Sequence, residues 1–138
     1  MLRVRAAGRG DLPWLAAHDG HLSEPELAVK VDAGEMLVAE ADGRPVGLLR
    51  LDHLWSSVPF VALVRVLPEA RRRGAGRALV EAARAEARER GAPLLLSSAT
   101  GEEPEAIAWH RAVGFEEWGV LPGLDEGGAG EVFFRMRA

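Results

Sequence analysis

Cysteine and tyrosine are both missing from these 138 residues, and each absence removes chemistry. Without thiols there are no disulfides, no thiolate metal ligands and no covalent cysteine intermediate. Without tyrosine there is no phenol to serve as an acid. No apolar run approaches the roughly 20 residues that a membrane helix requires, and no basic, apolar, small-residue leader precedes the first patterned segment. A cytoplasmic protein with no membrane partner is therefore expected. Positive charge is also in short supply: 17 Lys and Arg against 21 Asp and Glu leave a net charge of −4. General nucleic-acid binders carry a basic face and a high pI, so nucleic acid is not an expected partner. What the chain has is length for one domain, residues 1–138, at a size that buries roughly two-thirds of the unfolded surface.

The acidic balance makes one local exception informative. Arg71-Arg72-Arg73-Gly74-Ala75-Gly76 lies between an apolar run that ends at Val66 and a helical pattern that continues to Arg90. Strand, glycine turn and helix in that order let backbone approach a ligand, and they aim the first unbonded helix amides and the positive end of the helix dipole at it. Three arginines beside the turn add charge-assisted bonds to phosphate oxygens. The pattern reads as a pyrophosphate cradle; the plainer alternative is a tight turn with a solvated basic rim. A Walker loop is excluded because no Lys-Ser or Lys-Thr follows, and the dinucleotide fingerprint lacks its third glycine and its βαβ setting near the N-terminus.

Taken in order, Leu2 to Ala6 alternates apolar and basic residues as a first strand. Asp11 is expected to cap a short helix over Leu12 to Ala17, with Trp14 and Leu15 inward. Ser23 begins a second helix with Glu26 placed as in a capping box and an end near Gly34. His18 and His21 have a spacing that could reach one metal, but Gly20 interrupts them, so they are expected to be exposed loop residues and no metal is assigned. Two apolar stretches, Met36 to Ala41 and Val46 to His53, flank Asp42-Gly43 as a hairpin, with Gly47 marking close packing or a bulge. Phe60 to Val66 reads as a central strand covered on both faces. Residues 77, 81, 84 and 88 form a charged helical stripe opposite Leu79, Val80, Ala83 and Ala87. After Gly91 come a strand from Leu94 to Ser98, a helix from Glu103 to Val113 with Ile107 and Ala108 inward, a strand from Phe115 to Leu121, a glycine-rich loop from Pro122 to Gly130, and a closing strand from Glu131 to Met136.

Val66-x-Pro68-x-x-Arg71-x-x-Gly74-x-Gly76-x-Ala78-Leu79 resembles the acyl-CoA signature of the GNAT superfamily of N-acetyltransferases. Ala106-x-x-Trp109-His110-Arg111-x-Val113-Gly114-Phe115 is similar to the family's second motif, and Ser97-Ser98, Glu102-Glu103 and Glu131-Val132-Phe133-Phe134 fit a branch without an assigned substrate. The resemblance covers nearly the whole chain, most specifically residues 60 to 115. It implies an α/β fold: a mixed, mainly antiparallel sheet of six to seven strands, about four helices, and a central parallel pair that splays apart. The pantetheine arm of acetyl-CoA would supply hydrogen-bond partners to the separating strands, whose buried amides would otherwise go unpaired. By the family pattern, backbone at Val64, Arg65 and Val66 bonds that arm. Arg71, Arg72, Arg73, Gly74, Ala75, Gly76 and Arg77 hold the pyrophosphate, and Glu103 stands at a further cofactor contact.

The resemblance implies transfer of an acetyl group from acetyl-CoA to an amine. With no cysteine the transfer would be direct or use an oxygen or nitrogen nucleophile; direct attack is the preferred reading, and an N–H near Val66 would face the thioester oxygen. The chain departs from the pattern at its acid and base. His110 occupies the position where the family usually has a tyrosine, so it is the candidate to protonate the leaving thiolate, or merely bonds at the ligand edge. Ser98 replaces the glutamate that some members use as base, which leaves Glu69, Asp52, His53 or a water chain. Trp55, Trp109 and Trp118 either line the acceptor side or belong to the core. The alternative function, motivated by the missing tyrosine and glutamate, is a CoA-binding sensor or regulatory module without turnover. The acceptor is not specified by the sequence. The superfamily's frequent dimers leave a homodimer open.

Overall fold

The structure is a computed structural model that describes residues 1–123 and 128–138. Seven strands form one sheet in the order β1-β2-β3-β4-β5-β7-β6. They are β1 Leu2–Ala6, β2 Met36–Ala41, β3 Arg44–Leu54, β4 Val58–Val66, β5 Leu94–Thr100, β6 Glu116–Leu121 and β7 Glu131–Arg137. Four α-helices accompany them: α1 Leu12–Asp19, α2 Glu24–Asp32, α3 Ala75–Glu89 and α4 Pro104–Val113. The sheet is antiparallel except for β4 and β5, which run parallel as expected. Their ladder consists of two pairs, Phe60 with Leu96 and Val61 with Ser97, although both strands continue beyond the last of them. No helix among the described residues is long and apolar enough to cross a membrane.

The chain divides into two compact units, residues 1–52 with 62–83 and residues 53–61 with 84–138. In the first, Leu15, Leu27 and Val31 from α1 and α2 pack on Met36, Val38 and Leu48. The capping box at α2 forms as its sequence directs: Glu26 N donates to Ser23 Oγ at 3.3 Å and Ser23 N to Glu26 Oε1 at 2.9 Å. Asp42 and Gly43 both have positive φ, 53° and 80°, the mirror-type turn that suits a two-residue hairpin. Between Ala39–Gly47 and Glu40–Pro45 the register slips, so Val46 is an extra, unpaired residue of β3. Gly47 is tightly backed as well: a Cβ there would meet the Arg65 carbonyl oxygen at 3.0 Å and Leu79 Cδ1 at 3.3 Å.

In the second unit, β5 pairs with β7 along its whole length, and β7 with β6. Phe134, Leu95 and Leu96 fill the interior, whereas β6 is exposed throughout. On α3, Leu79, Val80 and Ala83 of the first unit and Ala87 of the second are fully buried, as the stripe requires.

Several expectations change. Asp11 does not cap α1 with its side chain. It ends a short 3-10 turn over Arg9–Asp11, where its carboxylate takes Gly8 N at 2.7 Å and both terminal nitrogens of Arg5 at 2.8 Å. The guanidinium is the stronger claimant, and it holds the Asp11 carboxyl below the usual carboxylate range despite partial burial. α1 extends two residues past Ala17 and takes in His18 and Asp19, ending at Gly20 with φ 80°. β4 begins two residues earlier than expected and is not covered on both faces: only Pro59 and Val61 are buried, while Arg65 is exposed. The inward residues of α4 are His110 and Val113, and Ala108 is exposed, because the helix presents the 106, 110, 113 face. Of the loop expected from Pro122 to Gly130, residues 124–127 lie outside the described residues.

Candidate active site

The Arg71–Gly76 turn is placed in the first unit at the end of β4. Pro68–Ala70 forms a single 3-10 turn, after which Arg72 takes φ 65° and Gly74 φ 87°. Gly74 supplies the left-handed residue that lets the chain swing into α3, whose first bond runs from Ala78 N to the Gly74 carbonyl at 2.9 Å. The helix begins at Ala75, so Gly76 lies within its first turn. The first-turn amides of a helix have no partner inside it, which makes this end a receptor for an anion. Arg71, Arg72 and Arg73 are exposed, and Arg73 is close enough to Asp42 to help lower its carboxyl after the N-terminal amine has done so. Arg71 Nε reaches only the Val66 carbonyl, at 3.3 Å, tying the cradle to the end of β4. A donor set of this kind, exposed and on one turn, fits a diphosphate.

Gly74→Ala isolates the conformational part of this arrangement. A Cβ there has nothing within 4 Å, so the cost comes from φ 87° alone. We expect a loss of about 1 kcal/mol in stability and a several-fold rise in KM for acetyl-CoA. Unchanged KM would separate the turn's shape from ligand affinity.

Beside the cradle is a cavity of about 220 Å³ lined by Trp14, His18, Leu48, Arg65, Val66 and Arg71 among others. Its lining comes entirely from the first unit. His18 is on α1 here, half-buried and stacked on Trp14 at 4.3 Å, rather than exposed in a loop. Its Nδ1 donates to the Trp14 carbonyl at 2.8 Å. The Arg65 guanidinium lies over Gly20, where a Cβ would meet Nη1 at 3.4 Å. A second cavity, of about 290 Å³, is lined by Arg84, Val113, Gly114, Glu116 and residues 135–137; it shares no residue with the cradle.

The acid candidate belongs to the second unit. His110 is 5% exposed, in the core of the second unit. Its Nδ1 donates to the Ala106 carbonyl at 2.7 Å. That fixes the tautomer of the neutral ring, so Nε2 accepts from the Ser97 hydroxyl at 2.8 Å. The ring also stacks on Phe134 at 4.3 Å and 7°. Burial pushes the imidazole below its ordinary pKa, outweighing the bond to Ala106. In this arrangement both ring nitrogens have partners, Ala106 on Nδ1 and Ser97 on Nε2.

The base candidates separate in the same way. Asp52 is bound to Lys30 Nζ at 2.6 Å, Glu69 is exposed, and His53 is half-buried near the end of β3. Glu103 is exposed at the head of α4, with no side-chain cap bond. Of the tryptophans, Trp55 is 84% exposed at the β3–β4 turn, and Trp118 is exposed beneath the Arg135 guanidinium, 5.5 Å from its ring centroid. Trp109 is half-buried, edge-on to His110 at 5.0 Å. Among the described residues no three His, Cys, Asp or Glu side chains gather as a metal site would need.

Sequence inspection missed two long-range pairs. Asp19 is fully buried; its Oδ1 accepts from His21 N at 3.0 Å and Leu22 N at 3.1 Å, and its Oδ2 from Arg50 Nε at 3.0 Å. Ser98 Oγ donates to Glu131 Oε2 at 2.7 Å. Thirty-one and 33 residues separate these partners, and no local spacing announces them.

A seven-stranded mixed sheet with one parallel pair, and a basic glycine turn leading from β4 into a helix, fit an acyl-CoA-dependent transferase. The GNAT acetyltransferase family model matches residues 8–115. The chain is 34% identical over 112 residues to an aminoglycoside N(6')-acetyltransferase type 1 of Stenotrophomonas maltophilia, spanning 75% of this chain and 73% of the relative. Among solved structures, a ribosomal-protein-alanine N-acetyltransferase from Brucella melitensis superposes with a TM-score of 0.80 at 26% identity over 99% of both chains. A GNAT acetyltransferase from Bacillus cereus gives 0.83 at 22% identity, covering 99% of this chain and 97% of the other. The chain belongs to the GNAT family: it is an N-acetyltransferase whose acetyl donor is acetyl-CoA.

Proposed function

We propose that residues 1–138 act as a single domain that moves an acetyl group from acetyl-CoA to a primary amine by direct attack. The observation that carries the cofactor assignment is the Arg71–Gly76 turn, with its left-handed Gly74, three exposed guanidiniums and the helix start at Ala75. The pyrophosphate would rest on the amides of residues 72–77. Backbone at Val64–Val66, on the half-exposed end of β4, would bond the pantetheine arm, and an amide near Val66 would meet the developing oxyanion. Glu103, exposed at the head of α4, is a further contact in this reading.

A neutral amine held against a thioester needs no covalent relay, since positioning supplies much of the rate. That suits a chain without cysteine. His110, with Ser97 on its Nε2, is the candidate acid of this reading. The relatives named above act on amines of unlike size, a sugar amine and a protein alanine by their names, so the amine is proposed as a class. The same reading puts the protein in the cytoplasm, with acetyl-CoA and that amine as its partners. Family membership favours turnover over a silent CoA-binding module.

Release of free CoA thiol from acetyl-CoA, followed with an aminoglycoside, putrescine and a hexapeptide with N-terminal alanine, tests the proposal. Acceptor-dependent release with at least one amine is expected. Tight CoA binding by calorimetry without release from any amine would instead support the module.

A further inference from the structure

Arg65 and Val66 are neighbours on β4, and strand alternation sends their side chains to opposite faces of the sheet. Val66 Cγ2 and Leu79 Cδ1 lie on the α3 side, where a Cβ at Gly47 would meet them at 3.4 and 3.3 Å. Leu63, two residues before Arg65, packs against the core of Leu15, Leu27 and Val31 on the α1–α2 side. Arg65 shares that face. Its guanidinium rests over Gly20 at the end of α1, with Nη1, Nη2 and Cζ all within 3.8 Å of where a Cβ would stand. The charge is not spent there: among the described residues no carboxylate pairs with Arg65. Asp19, the acid next to Gly20, is buried and committed to Arg50, His21 N and Leu22 N.

The cavity of about 220 Å³ beside the cradle is walled on one side by this arginine. Arg65 and Arg71 are its cations, and no Asp or Glu lines it. His18 supplies the complementary group. Its Nδ1–H is fixed on the Trp14 carbonyl, so in the neutral ring Nε2 carries the lone pair, and among the described residues no donor takes it. The cavity therefore offers a planar fork for a carboxylate and a lone pair for the N–H of an amine. Its volume is below the roughly 300–1,000 Å³ of sites for drug-sized ligands, which sets a small occupant. Val66 and Arg71, in the same lining, are where the pantetheine arm and the first phosphate contact are placed above, so an occupant sits beside the cofactor within one unit.

We propose that the acceptor is a small amine that carries a carboxylate, an amino acid by chemical class, and that the Arg65 side chain selects it. This rests on the acetyl transfer proposed above and adds the kind of amine. The guanidinium takes the carboxylate through paired N–H···O bonds, a geometry that a point charge does not match. That end anchors the molecule, and the amine end meets His18 Nε2. A polyamine or an aminoglycoside would bring further cations against Arg65 and Arg71 with no acid in the lining to receive them, so like-charge repulsion selects against both. The backbone of Arg65 remains for the pantetheine arm, because backbone bonds run in the plane of the sheet while the side chain stands out of it.

The test extends the thiol-release panel with the common amino acids, each paired with its methyl amide. For the best of them kcat/KM should exceed that of its methyl amide by about 10- to 100-fold, the loss expected of a charge-assisted pair, and the aminoglycoside and putrescine should be slower acceptors than it. Arg65→Gln should raise KM for that amino acid about tenfold or more and abolish its advantage over the methyl amide, with KM for acetyl-CoA and the thermal midpoint held near wild type. Arg65→Lys should keep part of the advantage. Equal use of amino acid and methyl amide by the wild type, an aminoglycoside or putrescine as the best acceptor, or an advantage that survives in Arg65→Gln overturns the inference while leaving acetyl transfer intact. An Arg65→Gln variant whose KM rises for acetyl-CoA instead assigns the guanidinium to the cofactor's phosphates and overturns it as well. A wild-type protein that binds CoA but releases no thiol with any amine, amino acids included, overturns both.

Discussion

Asp19→Ala is expected to lower the unfolding free energy by about 3–5 kcal/mol, a large part of the total stability of a domain this size. The carboxylate is fully buried, and removing it strands Arg50, itself only 7% exposed, together with two backbone amides that close the turn after α1. Asp19→Asn should cost less, because an amide oxygen still accepts from His21 and Leu22 while the guanidinium loses its counter-charge. Urea midpoints at constant m-value measure both. The acid limb follows from the same contacts. Burial raises the Asp19 pKa, but bonds from His21, Leu22 and Arg50 outweigh it, and the net direction is down from 3.8. A carboxyl lowered by folding stabilises the native state fully above its unfolded value. That contribution is lost as pH falls below 3.8 through the lower folded value. Stability measured against pH should therefore fall less steeply below pH 3.8 in Asp19→Asn than in wild type.

Phe134→Ala carries the second large effect, about 3–5 kcal/mol, in the other unit. Phe134 is fully buried, parallel to the His110 ring at 4.3 Å and 6.4 Å from Phe115. Truncation opens a cavity against an imidazole whose depressed pKa has burial as its chief cause. Water entering there should let the His110 titration move back toward 6.5, which NMR of the ring protons would follow. Phe134→Leu keeps most of the apolar volume and loses the stacking, so a cost on the order of 1.5 kcal/mol is expected with a smaller shift. A full loss of stability without movement of the titration would mean that the cavity collapses instead of filling.

What could be foreseen from the sequence was what neighbours in the chain decide. Ser23 with Glu26, Asp42 with Gly43, and the stripe on α3 are local chemistry, and each formed where its spacing placed it. The turn into α3 was legible for the same reason, since a glycine turn, a helix start and three arginines lie within one short stretch. The errors arose where a distant partner decided. Gly20 suggested a loop around His18, yet α1 continues because Asp19 is anchored by Arg50 on another element. Asp11 looked like a cap until Arg5 claimed it. His110 has a position in the second motif but takes its state from Ala106, Ser97 and Phe134. Glu131 opens the Glu-Val-Phe-Phe run of the resemblance, but only the β5–β7 register brings it to Ser98.

The surplus residue in β3 has a consequence for how the protein could change. Val46 has no mate on β2, and its carbonyl instead receives Leu67 N at 2.8 Å, just past the end of β4. Removing that single residue would exchange inward and outward side chains from Pro45 back to the hairpin tip, or from Gly47 onward, and would take away the tether on Leu67. Evolution along this stretch is therefore free to swap side chains but not to alter its count, and a library built on the scaffold should vary identities there while leaving its length alone.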